Sequence, residues 1–387
     1  MNPVWLLMCA IGIVGSNSLV LSPIAADVAG SFPARSAPDV MMASAVYGAG
    51  TALSALALAP KADQIGLMRA LRWALVALAA SLGISALAPA LWVLIAAQAL
   101  AGFAAGLALP AIYGLSAEVS PAGRESETLG KVLTGWTLSL VAGVSLSAIL
   151  ADVLNWRLVF AVLCGASILV LVSLNRLPQP RAPMNAPATS PLAALQIAGL
   201  PLLLVAVACY MIAFYGLYAF LGSHMTGALG LSTSTAGLAA LTYGIGFGIV
   251  APLDRLIDRH GSAKAAPIVF AALVSAYVML SISSVSGPAL LAVCAVWGAA
   301  NHLGLNLLVG QLTALSSDKR ATILGLYSAV TYAAMFVGTA IFKPVFESHG
   351  FANLSLVAAA CVAPALATAV YRARRHKTTA HKAVSDS

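Results

Sequence analysis

Residues 91–115 read LWVLIAAQALAGFAAGLALPAIYGL, a run without a single charged side chain. As an α-helix with a 1.5 Å rise per residue, this run is long enough to cross the roughly 30 Å hydrocarbon core of a bilayer. The whole chain has the same character. Of its 387 residues, 61% are hydrophobic and only 8% are charged, whereas soluble domains carry about 25% charged residues. Lipid is therefore the solvent for most of this chain.

Twelve apolar runs of this kind follow one another along the sequence. They lack the alternation of apolar and polar residues that is typical of a transmembrane barrel, and helices satisfy their backbone hydrogen bonds within one segment. We therefore predict an all-α integral membrane protein. Its predicted spans are 4–26, 40–59, 73–90, 91–115, 128–150, 155–177, 194–221, 232–253, 265–285, 288–314, 321–343 and 350–371.

The basic residues lie almost entirely on one side of these spans. With a cytoplasmic N-terminus, only Arg35, Arg157 and Lys343 of the 20 Lys and Arg residues fall in outer loops. This asymmetry follows the positive-inside rule, so we predict a bacterial-type inner (plasma) membrane protein with both termini in the cytoplasm. The basic residues form no single folded face, which argues against a nucleic-acid partner.

The two halves of the chain share a loop motif and the same number of predicted spans. The loop sequence DQIG at 63–66 returns as DRHG at 258–261, about half the chain later. Six spans followed by six more in the same orientation indicate parallel repeats. We therefore predict two six-helix bundles, with a proline-rich linker between them and a basic tail after them. The predicted boundaries are 1–177 and 193–371 for the bundles, 178–192 for the linker and 372–387 for the cytoplasmic tail.

These loops carry a resemblance to a known family. The stretches APKADQIGLMRAL (59–71) and DRLIDRHGSAK (254–264) resemble the G-x-x-x-D-R-x-G-R-R/K loop signature of the major facilitator superfamily. Trp156, Arg157 and Phe160 match the W-R-x-x-F opening of its sixth helix. The likeness is to the twelve-span drug- and sugar-efflux branch, the proton antiporters, and covers roughly residues 4 to 371.

The resemblance implies that the two loops are conformational switches, in which Asp63 docks on a helix end and releases as the halves rock. A short carboxylate can cap the next helix and a glycine permits a tight turn. The alternative is a basic turn that only fixes topology. The candidate switch residues are Asp63, Gly66, Asp258, Arg259 and Gly261.

His302 is the most unusual residue of the predicted spans. It lies in AVWGAANHLGLNLLVGQL (295–312), between Asn301 and Asn306. All 12 carboxylates are predicted in loops, in the tail or at span ends, so His302 would be the only titratable group near the middle of the membrane. Histidine changes charge near physiological pH. We predict a protonation or substrate-binding role; the alternative is a neutral histidine bonded to a neighbouring helix.

Further site candidates come from the family, in which spans 1, 4, 7 and 10 line the pathway. Amides, and aromatic rings with a polar tip, suit a neutral, partly apolar molecule. Gln98 stands where the family often has an arginine, and the first helix offers Ser16, Asn17 and Ser18, whereas related efflux proteins often have an acid in that helix. The substrate-binding or coupling candidates are His302, Asn17, Gln98, Asn306, Tyr215, Trp136 and Asn301.

We therefore predict an alternating-access transporter that exports a small drug-like or sugar-like compound, with protons as the candidate coupling ion. The chain has no G-x-x-x-x-G-K-[ST] loop for ATP and no cluster of catalytic or metal-binding residues, so we expect no enzyme activity, metal or cofactor. We expect a monomer in the lipid bilayer. Two alternatives stay open: an uncoupled or uptake facilitator of a neutral solute, and a membrane sensor without transport.

Overall fold

The computed structural model describes residues 3–58, 65–121, 124–176, 191–254, 262–316 and 319–385, and all regular secondary structure in these ranges is helical. Ten of these helices are long and apolar enough to cross a membrane, and a further pair meets the same test as one span bent by 53°. The last helix is interrupted at Gly350, whose φ of 73° suits glycine, and so contains two spans. The predicted all-α fold of twelve spans is confirmed.

We number the spans in chain order. They are α1 (Pro3–Leu19 and Leu21–Gly30), α2 (Ala37–Ala57), α3 (Leu67–Ala86), α4 (Leu91–Glu118), α5 (Glu125–Leu138, Ser139–Val144 and Ser145–Val153), α6 (Trp156–Asn175), α7 (Leu200–Ser223 and His224–Ala228), α8 (Thr233–Ile249), α9 (Ser262–Ser283), α10 (Gly287–Thr313), α11 (320–349) and α12 (351–385). Short 3-10 turns lie at Pro191–Gln196 and Ala251–Leu253. We call the membrane face that carries both chain ends the inner face, and the opposite face the outer face.

Helix starts follow from local chemistry that is visible in the sequence. The Asp39 carboxylate accepts hydrogen bonds from the Ser36 backbone N–H at 2.9 Å and from its hydroxyl at 2.8 Å, which forms a capping box at the start of α2. At the start of α8 the Ser232 hydroxyl accepts from the Thr235 N–H at 3.2 Å. Both caps satisfy backbone N–H groups that have no partner within the helix.

The repeat predicted from the loops recurs in the helix contacts. A Cβ atom added at Gly102 of α4 would overlap the Tyr47 carbonyl oxygen of α2, and one added at Gly298 of α10 would overlap the Tyr243 carbonyl oxygen of α8. The two glycines and the two tyrosines are separated by the same number of residues. Because only glycine allows this backbone approach, the pairs α2–α4 and α8–α10 pack in the same way.

The two halves of the chain meet near the outer face. Among the described residues, five hydrogen bonds join α1–α6 to α7–α12, and all five lie toward the outer helix ends. We call these contacts the outer closure. They are Ser22 Oγ to Tyr218 O (2.5 Å), Gly222 N to Ser22 Oγ (3.4 Å), Ser145 Oγ to Gly237 O (3.2 Å), Ser234 N to Asp152 Oδ2 (3.1 Å) and Lys343 Nζ to Asp39 Oδ1 (2.5 Å).

Helix α1, part of the first half, is anchored to both halves. Its inner segment is anchored in the first half, where the Asn17 side chain bonds to Gln98 of α4 at 3.0 Å. Its outer segment is anchored to α7 through Ser22. The 53° bend between the segments lies between these two anchors.

We expect the Asp39–Lys343 ion pair to favour the outer closure. Its side chains are only 30% and 21% exposed, and a partly exposed pair contributes up to about 1 kcal/mol, or roughly a fivefold shift in population. Lys343→Asp should therefore raise, by up to about fivefold, the labelling rate of a cysteine placed at Ser44 in a cysteine-free background. The probe is a membrane-impermeant thiol reagent added from the outer side.

The charge-swapped protein, Asp39→Lys with Lys343→Asp, is the control for this experiment. Since the swap restores an attractive pair, its labelling rate should return toward that of the parent. A swapped protein that labels as fast as the single variant would show that charge attraction does not hold this contact.

Candidate functional site

His302 is paired with a carboxylate. Its Nε2 atom lies 2.9 Å from Oδ2 of Asp254, and the two side chains are 16% and 29% exposed. The ring of Phe247 on α8 meets the imidazole edge-on, with the ring centroids 4.7 Å apart. The prediction that His302 would be the only titratable group near the middle of the membrane is therefore wrong, because the Asp254 carboxylate contacts it. Asp254 was assigned to the end of a span, and its side chain reaches His302 from there.

Local structure explains this reach. Helix α8 ends at Ile249, and the 3-10 turn Ala251–Leu253 carries Asp254 onward. On α10, His302 follows Gly298 by four residues, at the place where α4 has Gly106 four residues after Gly102. Gly106 packs against the α2 backbone, so the second half has an imidazole where the first half has a close helix contact. Comparing the two halves residue by residue therefore gives a second reason to single out His302, although it does not point to Asp254.

Asn17 and Gln98 form a closed amide pair. Asn17 Nδ2 donates to Gln98 Oε1 at 3.0 Å, Gln98 Nε2 donates to Asn17 Oδ1 at 3.3 Å, and Gln98 Nε2 also reaches Ser85 Oγ at 3.2 Å. Both side chains are buried, at 2% and 0% exposure. The structure thus places them inside the first half, where they join α1, α3 and α4, and their predicted substrate-binding role stays a prediction.

The remaining candidates have different surroundings. The Asn301 side chain is buried, and its backbone oxygen accepts the Tyr210 hydroxyl at 2.6 Å. Asn306 is exposed, one helical turn further toward the inner face than His302. Trp136 is half-buried, and a Cβ atom at Gly15 of α1 would meet its ring.

Tyr215 lies where the two halves meet. It is buried, and its ring centroid is 6.5 Å from that of Tyr332 on α11. The Tyr332 ring is in turn 6.3 Å from that of Tyr47 on α2. Tyr47 was not predicted as a site residue, because its orientation depends on how the halves dock.

A small cavity lies beside these rings, under the outer closure. It has room for about one water molecule. Helices α1, α2, α7 and α11 all contribute to its wall. The polar side chains that line it are Ser18, Ser22, Ser44, Tyr215, Tyr218 and Thr339, together with the apolar Leu19, Met41, Ala219 and Met335.

The switch loops are described only in part. Gly66 precedes α3 with a φ of 90°, a conformation that glycine adopts without strain. Asp63, Asp258, Arg259 and Gly261 lie outside the described residues. Their predicted switch role stays a prediction.

Comparisons with known proteins agree with this architecture. A model of the Major Facilitator Superfamily matches residues 4–339. Two proteins of Bacillus subtilis (strain 168) are similar over nearly their full length. The uncharacterized MFS-type transporter YwfA is 26% identical over 377 residues, which cover 95% of this chain and 91% of that protein. The uncharacterized MFS-type transporter YceJ is 24% identical over 361 residues, or 90% of each protein.

A solved structure shares the fold. The crystal structure of a D-xylose-proton symporter matches with a TM-score of 0.74 and covers 93% of this chain and 96% of that one, at 16% identity. That identity supports the fold alone. The family match, by contrast, covers most of the chain. The protein therefore belongs to the major facilitator superfamily, whose members are transporters and not enzymes.

Proposed function

We propose that this transporter exports a small, uncharged organic compound and is driven by protons that bind at the His302–Asp254 pair. The 2.9 Å contact between these side chains carries the proposal. Ionisable groups within membrane spans are costly and usually functional. A histidine on α10 and a carboxylate just after the turn that follows α8 form a site where binding or losing one proton changes the attraction between α10 and the inner end of α8.

The protonation cycle follows from charge. With a proton bound, the imidazolium and the carboxylate attract each other and hold α8 against α10. Without it, a neutral imidazole faces a single negative charge, which is stable only where water or another donor reaches it. Proton loss therefore favours a conformation in which the pair is open to water. The outer closure is intact in this structure, so the inner face is the side on which we place proton release.

The hydroxyl-lined cavity supports an uncharged cargo. Its polar groups are hydroxyls from both halves of the chain, and the tyrosine rings beside it offer flat apolar faces. Such surfaces suit a neutral compound with hydroxyl or carbonyl groups. Because helices of both halves meet here, rocking the halves would move a compound from one side to the other.

The wider setting of this function is part of the same proposal. We place the protein in a bacterial-type inner (plasma) membrane as a monomer, with both termini in the cytoplasm, because the basic residues cluster on that side. The bundle boundaries at 1–177 and 193–371 belong to it as well. Most of the linker between them lies outside the described residues.

Two linked experiments test the proposal. First, growth inhibition and accumulation are compared between a deletion strain and an overexpressing strain, across a panel of neutral compounds that includes D-xylose. Second, compounds that accumulate more in the deletion strain are offered to proteoliposomes with and without a pH gradient. We expect transport that rises with the gradient and falls when a protonophore collapses it.

The alternatives predict different results. An uncoupled facilitator would move the compound equally well with and without the gradient. An uptake carrier would make the deletion strain accumulate less compound. A sensor would move no compound at all. Each of these results would contradict proton-driven export.

A further inference from the structure

Each side chain of the His302–Asp254 pair has a second polar atom that is buried and unbonded. The pair is joined through His302 Nε2 and Asp254 Oδ2, which lie 2.9 Å apart. Among the described residues, no group forms a hydrogen bond with His302 Nδ1 or with Asp254 Oδ1, and both atoms are buried. A neutral imidazole carries its proton on one ring nitrogen, and the hydrogen bonds of the two nitrogens decide which one it is. The contacts of the pair therefore bear on where the proton sits.

The contact with Asp254 favours a proton on Nε2. An ionised carboxylate only accepts hydrogen bonds, and 2.9 Å is a usual distance for an N–H group that donates to a carboxylate. The opposite arrangement needs a neutral Asp254 that donates its O–H to Nε2 and leaves an N–H group at Nδ1. That N–H group would be buried without an acceptor, and orphaned N–H groups are rarer in folded proteins than orphaned acceptors. The geometry therefore favours an Nδ1 atom without a proton.

The neighbouring helices bring uncharged groups to this site. Phe247 of α8 meets the imidazole with the ring centroids 4.7 Å apart, and a phenyl ring has no N–H or O–H group. From α7, the Tyr210 hydroxyl donates to the Asn301 backbone oxygen at 2.6 Å, so it is already bonded. Among the described residues, Asp254 is therefore the group whose charge acts on the imidazole at ion-pair distance.

We propose that Asp254 keeps a proton on Nε2 of His302 throughout the transport cycle, so that the driving proton binds and leaves at Nδ1. This inference rests on the proposed function, in which the pair binds that proton. Uptake forms an N–H bond at Nδ1 while a hydronium ion loses its proton and becomes water, and the imidazole becomes an imidazolium. Release breaks the same bond and returns the proton to water. The Nε2–H bond is broken in neither step, which makes Asp254 a positioning residue.

The burial of Nδ1 connects this assignment to the conformation. A proton on Nδ1 would turn a buried, unbonded acceptor into a buried, unbonded donor, and such groups are costly. Uptake therefore favours a conformation in which Nδ1 meets water or another acceptor. The conformation described here suits the proton-free state, in which the carboxylate of the pair keeps its negative charge and is partly exposed, at 29%.

NMR of the purified protein in lipid identifies the protonated nitrogen directly. Histidine is labelled with ¹³C and ¹⁵N, and the signals of His302 are those that disappear in His302→Gln. The two nitrogens are told apart because only Nδ1 is bonded to the ring carbon that carries the side chain. At high pH we expect the Nε2–H form of neutral His302 to exceed the Nδ1–H form at least about tenfold, the factor expected from a hydrogen bond to a charged acceptor. As the pH is lowered, Nδ1 should gain a proton while Nε2 keeps its own.

Variants of Asp254 show whether its carboxylate causes this preference. In Asp254→Asn the excess of the Nε2–H form should fall at least about fivefold, because an amide accepts a weaker hydrogen bond and can also donate to a bare Nε2. Asp254→Glu keeps a carboxylate and should restore part of the excess. The matched control is His224, which is also largely buried and whose Nε2 lies 2.7 Å from the Ser284 backbone oxygen. Its proton should stay on Nε2 in every variant.

These measurements separate the inference from the proposed function. NMR needs neither a cargo compound nor a proton gradient, and the wild-type spectrum decides the assignment even if a variant is unstable. A neutral His302 with its proton on Nδ1 would overturn the proposal, and so would an unchanged excess in Asp254→Asn. An Nε2–H form as expected, together with transport that does not respond to the gradient, would contradict the proposed function and still support the positioning role of Asp254.

Discussion

Asp254→Asn is expected to lower proton-driven transport at least about tenfold, since a hydrogen bond to a charged group contributes roughly 1.5–3 kcal/mol. Asparagine keeps the size of the side chain and an oxygen near His302 Nε2, but it does not carry the charge that attracts an imidazolium. Exchange of labelled for unlabelled compound should continue near the wild-type rate, because both directions of exchange use the same protonation state. The measurement compares these two modes in the same proteoliposomes.

His302→Gln is expected to give the same pattern, and the combination of both variants identifies the pair. If the two side chains hold one proton together, the double variant loses no more than either single one. Additive losses would mean that the residues act separately. Glu127→Gln is the control: Glu127 is exposed and pairs with Lys131 at 2.8 Å near the inner end of α5, away from the pair. Wild-type coupling in Asp254→Asn would refute the proton site.

Gly222→Ala is expected to prevent the outer closure and so to lower transport at least about tenfold, since a forced overlap of this kind typically costs 1–3 kcal/mol. A Cβ atom at Gly222 of α7 would overlap the Ser22 carbonyl oxygen of α1 and approach the Pro23 backbone. The two helices belong to different halves, so the clash can be relieved by parting the halves and without unfolding. A cysteine at Ser44, in the cavity under the closure, should therefore react faster with an impermeant reagent from the outer side.

Two other glycines make this result specific. Gly227 lies in the same helix and has no atom within 4 Å of an added Cβ, so Gly227→Ala should leave labelling and transport unchanged. At Gly102 the overlap is with Tyr47 inside one half, and parting the halves does not relieve it. Gly102→Ala should therefore lower the unfolding temperature. If Gly222→Ala lowered it as much, without faster labelling, the clash would be a folding defect and not a block of closure.

Composition and local pattern were sufficient to predict the helices. Charge-free runs predicted the spans, and the paired loop motifs predicted a repeat that recurs in the Gly102 and Gly298 contacts. Each span and each loop motif is recognised from residues that are near each other in the sequence, and the repeat follows from comparing two such local motifs. The capping box at Ser36 and Asp39 is of the same kind.

The arrangement of the candidate site was harder to predict, because it depends on how helices rotate and where they end. Counting residues placed Asp254 at a span end, and it did not reveal that the turn after α8 would direct the carboxylate to His302. The pattern likewise did not reveal that the Asn17 and Gln98 side chains bond to each other between α1 and α4. The sequence pattern also does not predict whether the outer or the inner face of the protein is closed.

The bend in α1 has a consequence for observing this protein at work. One segment is fixed to α4 by Asn17 and the other to α7 by Ser22, so parting the outer ends either changes the 53° angle or breaks one of these anchors. The bend angle of α1 therefore reports whether the outer face of the transporter is closed or open. The distance between two spin labels, one on each side of Val20, would change as the outer face opens and closes.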